Sequence, residues 1–357
     1  MADAVAFDSG ALPNLPMQVK AKTLLAMMIT APLGIVAAMI DAYGFNNALR
    51  NYAFENPSII VWWVAVLSTP HIIASLVTFA DREYLHHYAK PLKKAAIISV
   101  ILGFCIPLVV GFILKPPYTD MDLGHIAHYG ADVSMVIAAF YTTYHNLQQQ
   151  YGVGLMLMKQ KPEFIHQLWK WITIVPAGFI FLGMQYNHEG LVWDMWPRVV
   201  AMAVTTMIVA CIVGGIIIRQ YLKRPDHSKI GLMYFCANAA MLLISLGLCV
   251  KGYVMIAMLM PRVIHDLTAY WIYMVHDENR NADKMRNPFY APFKKLGIGP
   301  AILCVPLSFV LAYIMLNASR EAYIISAFVF SLNYMHYYLE SIIWKRGTPH
   351  RQYVPFT

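Results

Sequence analysis

Charged residues are scarce in this chain. Aspartate, glutamate, lysine and arginine make up 13% of its 357 residues, whereas 59% are hydrophobic. Soluble domains usually carry about 25% charged residues, so the composition argues against a soluble protein and predicts a polytopic membrane protein. The first twenty residues lack the successive basic, apolar and cleavage regions of a secretory signal peptide, and we find no internal repeat or low-complexity tract.

Cysteine is also rare. The five cysteines fall inside apolar runs, where they are expected to pack as small apolar residues rather than form a disulfide framework. They are Cys105, Cys211, Cys236, Cys249 and Cys304. A CxxCH motif is missing, which argues against covalently attached heme.

Ten apolar segments are long enough to cross the hydrocarbon core of a bilayer, which takes about 20 residues. They are residues 22–41, 59–80, 95–114, 125–145, 168–184, 198–218, 231–249, 254–276, 297–316 and 322–344. The fourth helix is expected to continue towards Lys159, because Pro162 is the first clear breaker. A tight turn at Lys251 and Gly252 joins the seventh and eighth. The sequence therefore predicts an all-α integral membrane helix bundle, with residues 1–357 forming a single domain.

Lysine and arginine are distributed unevenly between alternate loops. One side carries 21 of them and the other five. Because positive residues stay in the cytoplasm, both termini, with tails at residues 1–21 and 345–357, are predicted to be cytoplasmic. We expect a multi-pass protein of a bacterial-type inner membrane or plasma membrane. Basic loops that face anionic lipid also account for the net charge of +8, so a nucleic-acid partner is not expected.

Four of the predicted spans each carry a histidine at a similar depth. These residues, His71, His145, His265 and His336, lie 9 to 14 residues before the cytoplasmic ends of their spans, or roughly 13 to 21 Å. Ionisable residues at membrane depth normally mark a functional site. Imidazole binds transition metals, and helix bundles build metal sites from facing helices. The sequence therefore predicts that these four histidines are metal ligands.

Other polar residues share helix faces with these histidines and are predicted to orient the rings from a second layer. They are Ser75, Gln149, Arg262, Asp266, Tyr273 and Glu340. The alternative for Arg262 and Asp266, which lie four residues apart, is a structural role in which they neutralise each other. For Glu340 three roles stay open: a metal ligand, a residue that orients a ligand, or a hydrogen-bonded structural acid.

Three further histidines, His86, His87 and His276, lie near the predicted cytoplasmic rim beside acidic residues. They are predicted to form a second metal site or an access funnel; the alternative is that they are simply solvated.

The segments TPHIIAS, YHNLQQQYG, VIHDLTAY and NYMHYYLE contain the four histidines. They resemble, at the level of motifs rather than of the full chain, the Brp/Blh class of membrane carotenoid dioxygenases and the wider group of histidine-ligated membrane non-heme iron oxygenases. Ser75 stands where an acidic residue four positions after the first histidine would be, and the HxxxH and HxxHH boxes of membrane desaturases are missing. The resemblance implies a polyhistidine iron centre, dioxygen and a lipophilic substrate.

The expected function is therefore that of a membrane non-heme iron oxygenase or other oxidoreductase, acting on a carotenoid, sterol or fatty chain and served by a redox partner. We expect iron without heme, because polar residues rather than glycines flank the histidines. The alternatives are an electron-transfer protein that uses heme b or a quinone, a proton or metal-ion transporter, and a non-catalytic subunit of a membrane complex.

Overall fold

The fold is helical. A computed structural model describes residues 15–56, 58–114, 123–185, 191–321, 323–345 and 347–357. The chain is 81% helix, and its described residues form no β-strand. The all-α prediction is confirmed.

The α-helices are numbered in chain order. They are α1 (Ala21–Met27), α2 (Thr30–Gly44), α3 (Ala48–Glu55), α4 (Ser58–Val77), α5 (Arg82–His87), α6 (Ala89–Val100), α7 (Ile106–Leu114), α8 (Leu123–Leu157), α9 (Phe164–Gln185), α10 (Leu191–Leu222), α11 (Lys229–Val250), α12 (Val254–Asn281), α13 (Pro300–Glu321), α14 (Tyr323–Ile343) and α15 (Pro349–Gln352). A π-helix, Ile101–Cys105, joins α6 to α7, and a 3₁₀-helix, Ala291–Leu296, precedes α13.

Two boundary predictions are confirmed. Helix α8 continues past His145 to Leu157, and Lys159 then takes a left-handed backbone conformation with φ of 55°. Helices α11 and α12 are separated by a short turn in which Gly252 has φ of 85°, a conformation that glycine adopts at little cost.

Among the residues that the structure describes, five helical segments are long and apolar enough to cross a membrane. They are Ala21–Gly44, Ala89–Ile113, Pro197–Leu222, Lys229–Val250 and Pro300–Ala318. Their outer faces expose large apolar side chains; Ile113 is 73% exposed and Ile302 68% exposed. Such faces are suited to lipid rather than to water. Within α4, which carries His71, the segment Val66–Val77 is a shorter apolar helix.

The chain divides into two compact units. Unit 1 contains Met1–Val19, Ser68–Ala138 and Ala269–Thr357, and unit 2 contains Lys20–Leu67 and Ala139–Thr268. His71 and His336 therefore belong to unit 1, whereas His145 and His265 belong to unit 2.

In unit 1, α6 and the π-helix pack closely against α14, the helix that carries His336. Gly103 makes this approach possible: a Cβ atom at this position would lie 2.9 Å from Cα of Ser331. A π-helical turn inside an α-helix is rare and often accompanies a functional site. The local geometry thus fixes the helix on which His336 is presented.

The two ends of the chain meet in unit 1. Val19 donates its N–H to the carbonyl of Pro355 over 2.9 Å, and the Asn279 side chain donates to the carbonyls of Met17 and Tyr353 at 2.9 and 2.8 Å. These bonds tie the C-terminal segment to α12. The predicted C-terminal tail is therefore packed against the protein, and α15 within it is largely buried.

In unit 2, a proline creates a specific contact between α11 and α12. Pro261 has no N–H to donate to the carbonyl of Ala257, the normal partner four residues earlier. The hydroxyl of Ser245 on α11 donates to that carbonyl instead. The hydroxyl of Ser245 thus satisfies a buried backbone carbonyl and ties α11 to α12 about two turns before His265.

Candidate metal centre

His71 and His336 form a buried pair in unit 1. Both side chains are fully buried, and their Nε2 atoms lie 3.0 Å apart although the residues are 265 positions apart in the chain. The rings are nearly perpendicular, at 87°, with centroids 4.6 Å apart. Helices α4 and α14 thus aim one ring nitrogen each at the same point.

Ser75 defines the tautomer of His336. Its hydroxyl donates to the carbonyl of Ile72 over 2.7 Å, while its Oγ lies 2.6 Å from Nδ1 of His336. Because the single hydroxyl hydrogen is used by the carbonyl, Oγ accepts from an Nδ1–H group. The lone pair of His336 is then on Nε2, which faces His71. This outer hydrogen bond is the arrangement that orients metal-bound histidines, and it gives the predicted residue Ser75 a defined role.

Glu340 completes a possible ligand set in unit 1. One turn after His336 on α14, its Oε2 lies 3.9 Å from Nε2 of His336, and its side chain is 3% exposed. One atom from each of His71, His336 and Glu340 falls within 4.8 Å of the others. Two nitrogens bound at about 2.1 Å and at a right angle to one ion would lie about 3.0 Å apart, the spacing of the two Nε2 atoms. The residues present therefore fit a metal ion.

His145 and His265 form a second pair, in unit 2. Their rings are 5.0 Å apart at 80°, and both are buried. Asp266 lies beside them, with Oδ1 3.9 Å from Nε2 of His265. Arg262 donates to Oδ2 of Asp266 over 3.1 Å and to Oδ1 of Asn146 over 3.2 Å. The ion pair between Arg262 and Asp266, which the sequence offered as the structural alternative for these residues, is present.

The predicted group of four histidines is thus described as two pairs. Each pair has a carboxylate beside it: Glu340 in unit 1 and Asp266 in unit 2. A common centre for all four would involve residues of both units and stays a prediction.

A cleft in unit 2 adjoins the His145–His265 pair. Its wall includes Asn146 and Arg262, the residues that contact each other beside the histidines. The rest of the lining is mostly aliphatic. It includes Leu147, Ala177, Leu242, Leu246, Cys249, Ala257, Met258 and Pro261, with hydroxyls from Thr142, Thr143, Thr173 and Ser245. An apolar cleft with a few polar groups is suited to a small lipophilic molecule.

The remaining predicted outer partners have different positions. Tyr273 is fully buried in unit 1, with its ring 5.8 Å from that of His71. Gln149 is partly buried, and its Oε1 atom is buried. Its neighbour Gln150 is fully buried; Gln150 accepts from the hydroxyl of Tyr234 over 2.5 Å and donates to Thr268 over 3.4 Å.

The three rim histidines are not equivalent. His276 is fully buried, and its Nδ1 and Nε2 contact Asp277 at 2.8 Å and the hydroxyl of Tyr84 at 3.0 Å. His86 and His87 are exposed. Since both ring nitrogens of His276 are engaged by protein groups, this residue belongs to a hydrogen-bonded network rather than to an open ligand set.

His350 is the residue that reasoning from the sequence missed. It lies on α15, is fully buried, and stacks on Tyr84 at 4.0 Å and on His276 at 4.7 Å. Burial, together with the nearby His276, Arg280 and His87, lowers the pKa of His350 well below its usual value. The ring is therefore neutral at physiological pH. The only local indication in the sequence is that His350 follows Pro349, because proline is common at the first position of a helix.

Comparisons of the chain with protein-family models, with curated proteins and with solved structures give no match.

Proposed function

We propose that this chain is a ten-span protein of a bacterial-type inner or plasma membrane, with both termini in the cytoplasm, and that it is an iron-dependent oxygenase of a lipophilic substrate. The observation that carries the proposal is the buried group of His71, His336 and Glu340 in unit 1. The five apolar helices and the uneven distribution of basic residues support the membrane topology.

In this proposal, His71 and His336 hold the ion through Nε2. Ser75 keeps His336 in the tautomer that presents a lone pair. Glu340 offsets part of the charge of the ion, because an uncompensated charge at this depth is costly. Iron, when bound, supplies the capacity to activate dioxygen. His145 and His265 are proposed as the second pair of ligands.

The cleft of unit 2 supports a lipophilic substrate. Aliphatic side chains line most of it, while Arg262 and Asn146 offer polar atoms. The charge of Arg262 is balanced by its ion pair with Asp266. An uncharged substrate with an apolar body, such as a carotenoid, a sterol or a fatty chain, fits these properties.

Metal content tests the proposal. Protein purified in detergent is assayed by elemental analysis and by absorption spectroscopy, as wild type and as the variants His336→Gln, His265→Gln and His227→Gln. His227 lies in the loop between α10 and α11 and is the control. We expect iron in the wild type and in the control, and loss of most of it in His336→Gln and His265→Gln.

The other outcomes identify the alternatives. A strong Soret band would replace the proposal with a heme-based electron-transfer protein. Folded protein without metal would favour a transporter or a non-catalytic subunit. If iron is present, oxygen consumption upon addition of carotenoid, sterol or fatty-chain substrates tests the oxygenase activity, and bound iron without any oxygen uptake would contradict it.

A further inference from the structure

A continuous series of aromatic rings leads away from His71 within unit 1. The ring of His71 lies 5.8 Å from that of Tyr273, and Tyr273 lies 5.7 Å from Trp344. Trp344 in turn lies 6.0 Å from His276 and 5.9 Å from His350. Tyrosine and tryptophan are the side chains that lose one electron most readily. The series therefore links a candidate metal ligand to the network of His276 through two oxidisable residues.

At the far end of the series, Tyr84 has a base for its proton. Asp277 is a carboxylate and accepts from Nδ1–H of His276 over 2.8 Å, so Nε2 of His276 carries the lone pair. The hydroxyl of Tyr84 lies 3.0 Å from this nitrogen and donates to it. Both residues are fully buried. A phenol and an imidazole base are thus held in direct contact, out of reach of water.

The charges around His276 suit a protonated imidazole. Asp277 contacts Nδ1 of His276 directly. The nearby ion pairs of Asp81, Glu83, Arg280 and Arg286 balance two negative charges with two positive charges. Asp277 is therefore the counter-ion for a proton that arrives on Nε2 of His276.

We propose that Tyr84 is a redox-active tyrosine that delivers one electron to the metal centre of His71 and His336 through Trp344 and Tyr273. Tyr84 loses the electron, and its phenolic proton moves to Nε2 of His276. The products are a neutral tyrosyl radical, an imidazolium paired with Asp277, and a metal ion reduced by one electron. The oxidant is the metal centre after reaction with dioxygen or peroxide, so the inference rests on the proposed function.

This relay protects the site. Oxidation that is not used on a substrate would otherwise fall on His71, His336 or nearby apolar side chains. The relay transfers the oxidation to Tyr84, in the segment between the second and third predicted spans. Arg280 lies there and stacks over both Tyr84, at 4.5 Å, and the partly exposed Tyr353, at 5.0 Å.

Freeze-quench electron paramagnetic resonance tests the relay. Iron-loaded protein without substrate is mixed with hydrogen peroxide, and the tyrosyl radical is recorded. We expect Tyr84→Phe to lose most of the signal and Trp344→Phe to form it more slowly. Tyr88→Phe is the matched control, because Tyr88 is also buried and its ring lies 6.1 Å from that of Tyr84; it should keep the signal.

A measurement on the wild type makes the test independent of any variant that misfolds. Electron–nuclear double resonance of the radical should show an exchangeable proton and coupling to an imidazole nitrogen, both from His276. An unchanged radical in Tyr84→Phe, or a wild-type radical without the nitrogen coupling, would overturn the relay while bound iron leaves the proposed function intact. Protein that binds no metal would overturn both, since the relay then has no electron acceptor.

Discussion

Replacing Ser75 with alanine tests how the candidate centre holds His336. In the structure, Oγ of Ser75 lies 2.6 Å from Nδ1 of His336, and both side chains are buried. In the metal-free variant, the imidazole of His336 can move its proton from Nδ1 to Nε2 and form a hydrogen bond with His71. With metal bound to Nε2, the proton must stay on Nδ1, where the acceptor oxygen of Ser75 has been removed. The replacement of Ser75 therefore destabilises the metal-bound state more than the metal-free state.

The size of the effect follows from that difference. A buried donor without a partner costs about 1–3 kcal/mol, and outer partners of metal-bound histidines typically contribute about 10- to 100-fold in affinity. We expect Ser75→Ala to weaken metal binding about 10- to 100-fold, measured by competition with a chromophoric chelator in detergent. The absorption spectrum should also shift, because the ring can then rotate about its bond to Cβ.

Ser99→Ala is the matched control for this prediction. Ser99 is also buried and also donates to a carbonyl of its own helix, that of Ala95, over 2.7 Å. Its replacement removes a similar hydrogen bond but leaves Ser75 and His336 in place, so metal affinity should not change. Equal metal affinities of Ser75→Ala and Ser99→Ala would refute the role assigned to Ser75.

Two further predictions concern stability. In the unfolded chain a histidine binds a proton below about pH 6.5. In the folded protein His350 stays neutral, because burial lowers its pKa. The free energy of unfolding should therefore decrease below about pH 6.5, by up to about 1.4 kcal/mol per pH unit. His350→Phe keeps the stacking and should reduce the drop in Tm between about pH 7.5 and pH 5.5, whereas an unaltered drop, equal to that of His227→Phe, would contradict the assignment. Gly103→Ala should lower the free energy of unfolding by about 1–3 kcal/mol, because the added Cβ meets Ser331. Gly152→Ala should raise it by about 0.5–1 kcal/mol, because nothing lies within 4 Å of the added Cβ. Denaturant unfolding in which both variants changed the free energy in the same direction would be inconsistent with this packing.

The sequence was sufficient for properties that depend on local pattern. Run lengths and breakers predicted the all-α fold, the continuation of α8 to Leu157 and the turn at Gly252. The polar stripes predicted that all four histidines are buried, because lipid cannot satisfy them. The ion pair of Arg262 with Asp266 followed from their spacing of one helical turn.

Pairing between distant residues could not be predicted in this way. Nothing in the spacing of His71 and His336 indicates that their Nε2 atoms meet. The hydrogen bonds of Gln150 to Tyr234 and Thr268 join residues that are 84 and 118 positions apart, and no local pattern indicated them. His350 is buried by contacts of the C-terminal segment with α12, which only the folded chain brings together.

X-ray absorption at the metal K-edge of the purified protein tests the central claim most directly. The account predicts a shell of nitrogen and oxygen ligands at about 2.1 Å, with the outer scattering of imidazole and without sulfur. It also predicts that His336→Gln loses imidazole scattering or the metal itself, whereas His227→Gln keeps the wild-type spectrum. A first shell containing sulfur, a porphyrin pattern, or a spectrum unchanged in His336→Gln would show that His71 and His336 do not form the metal centre.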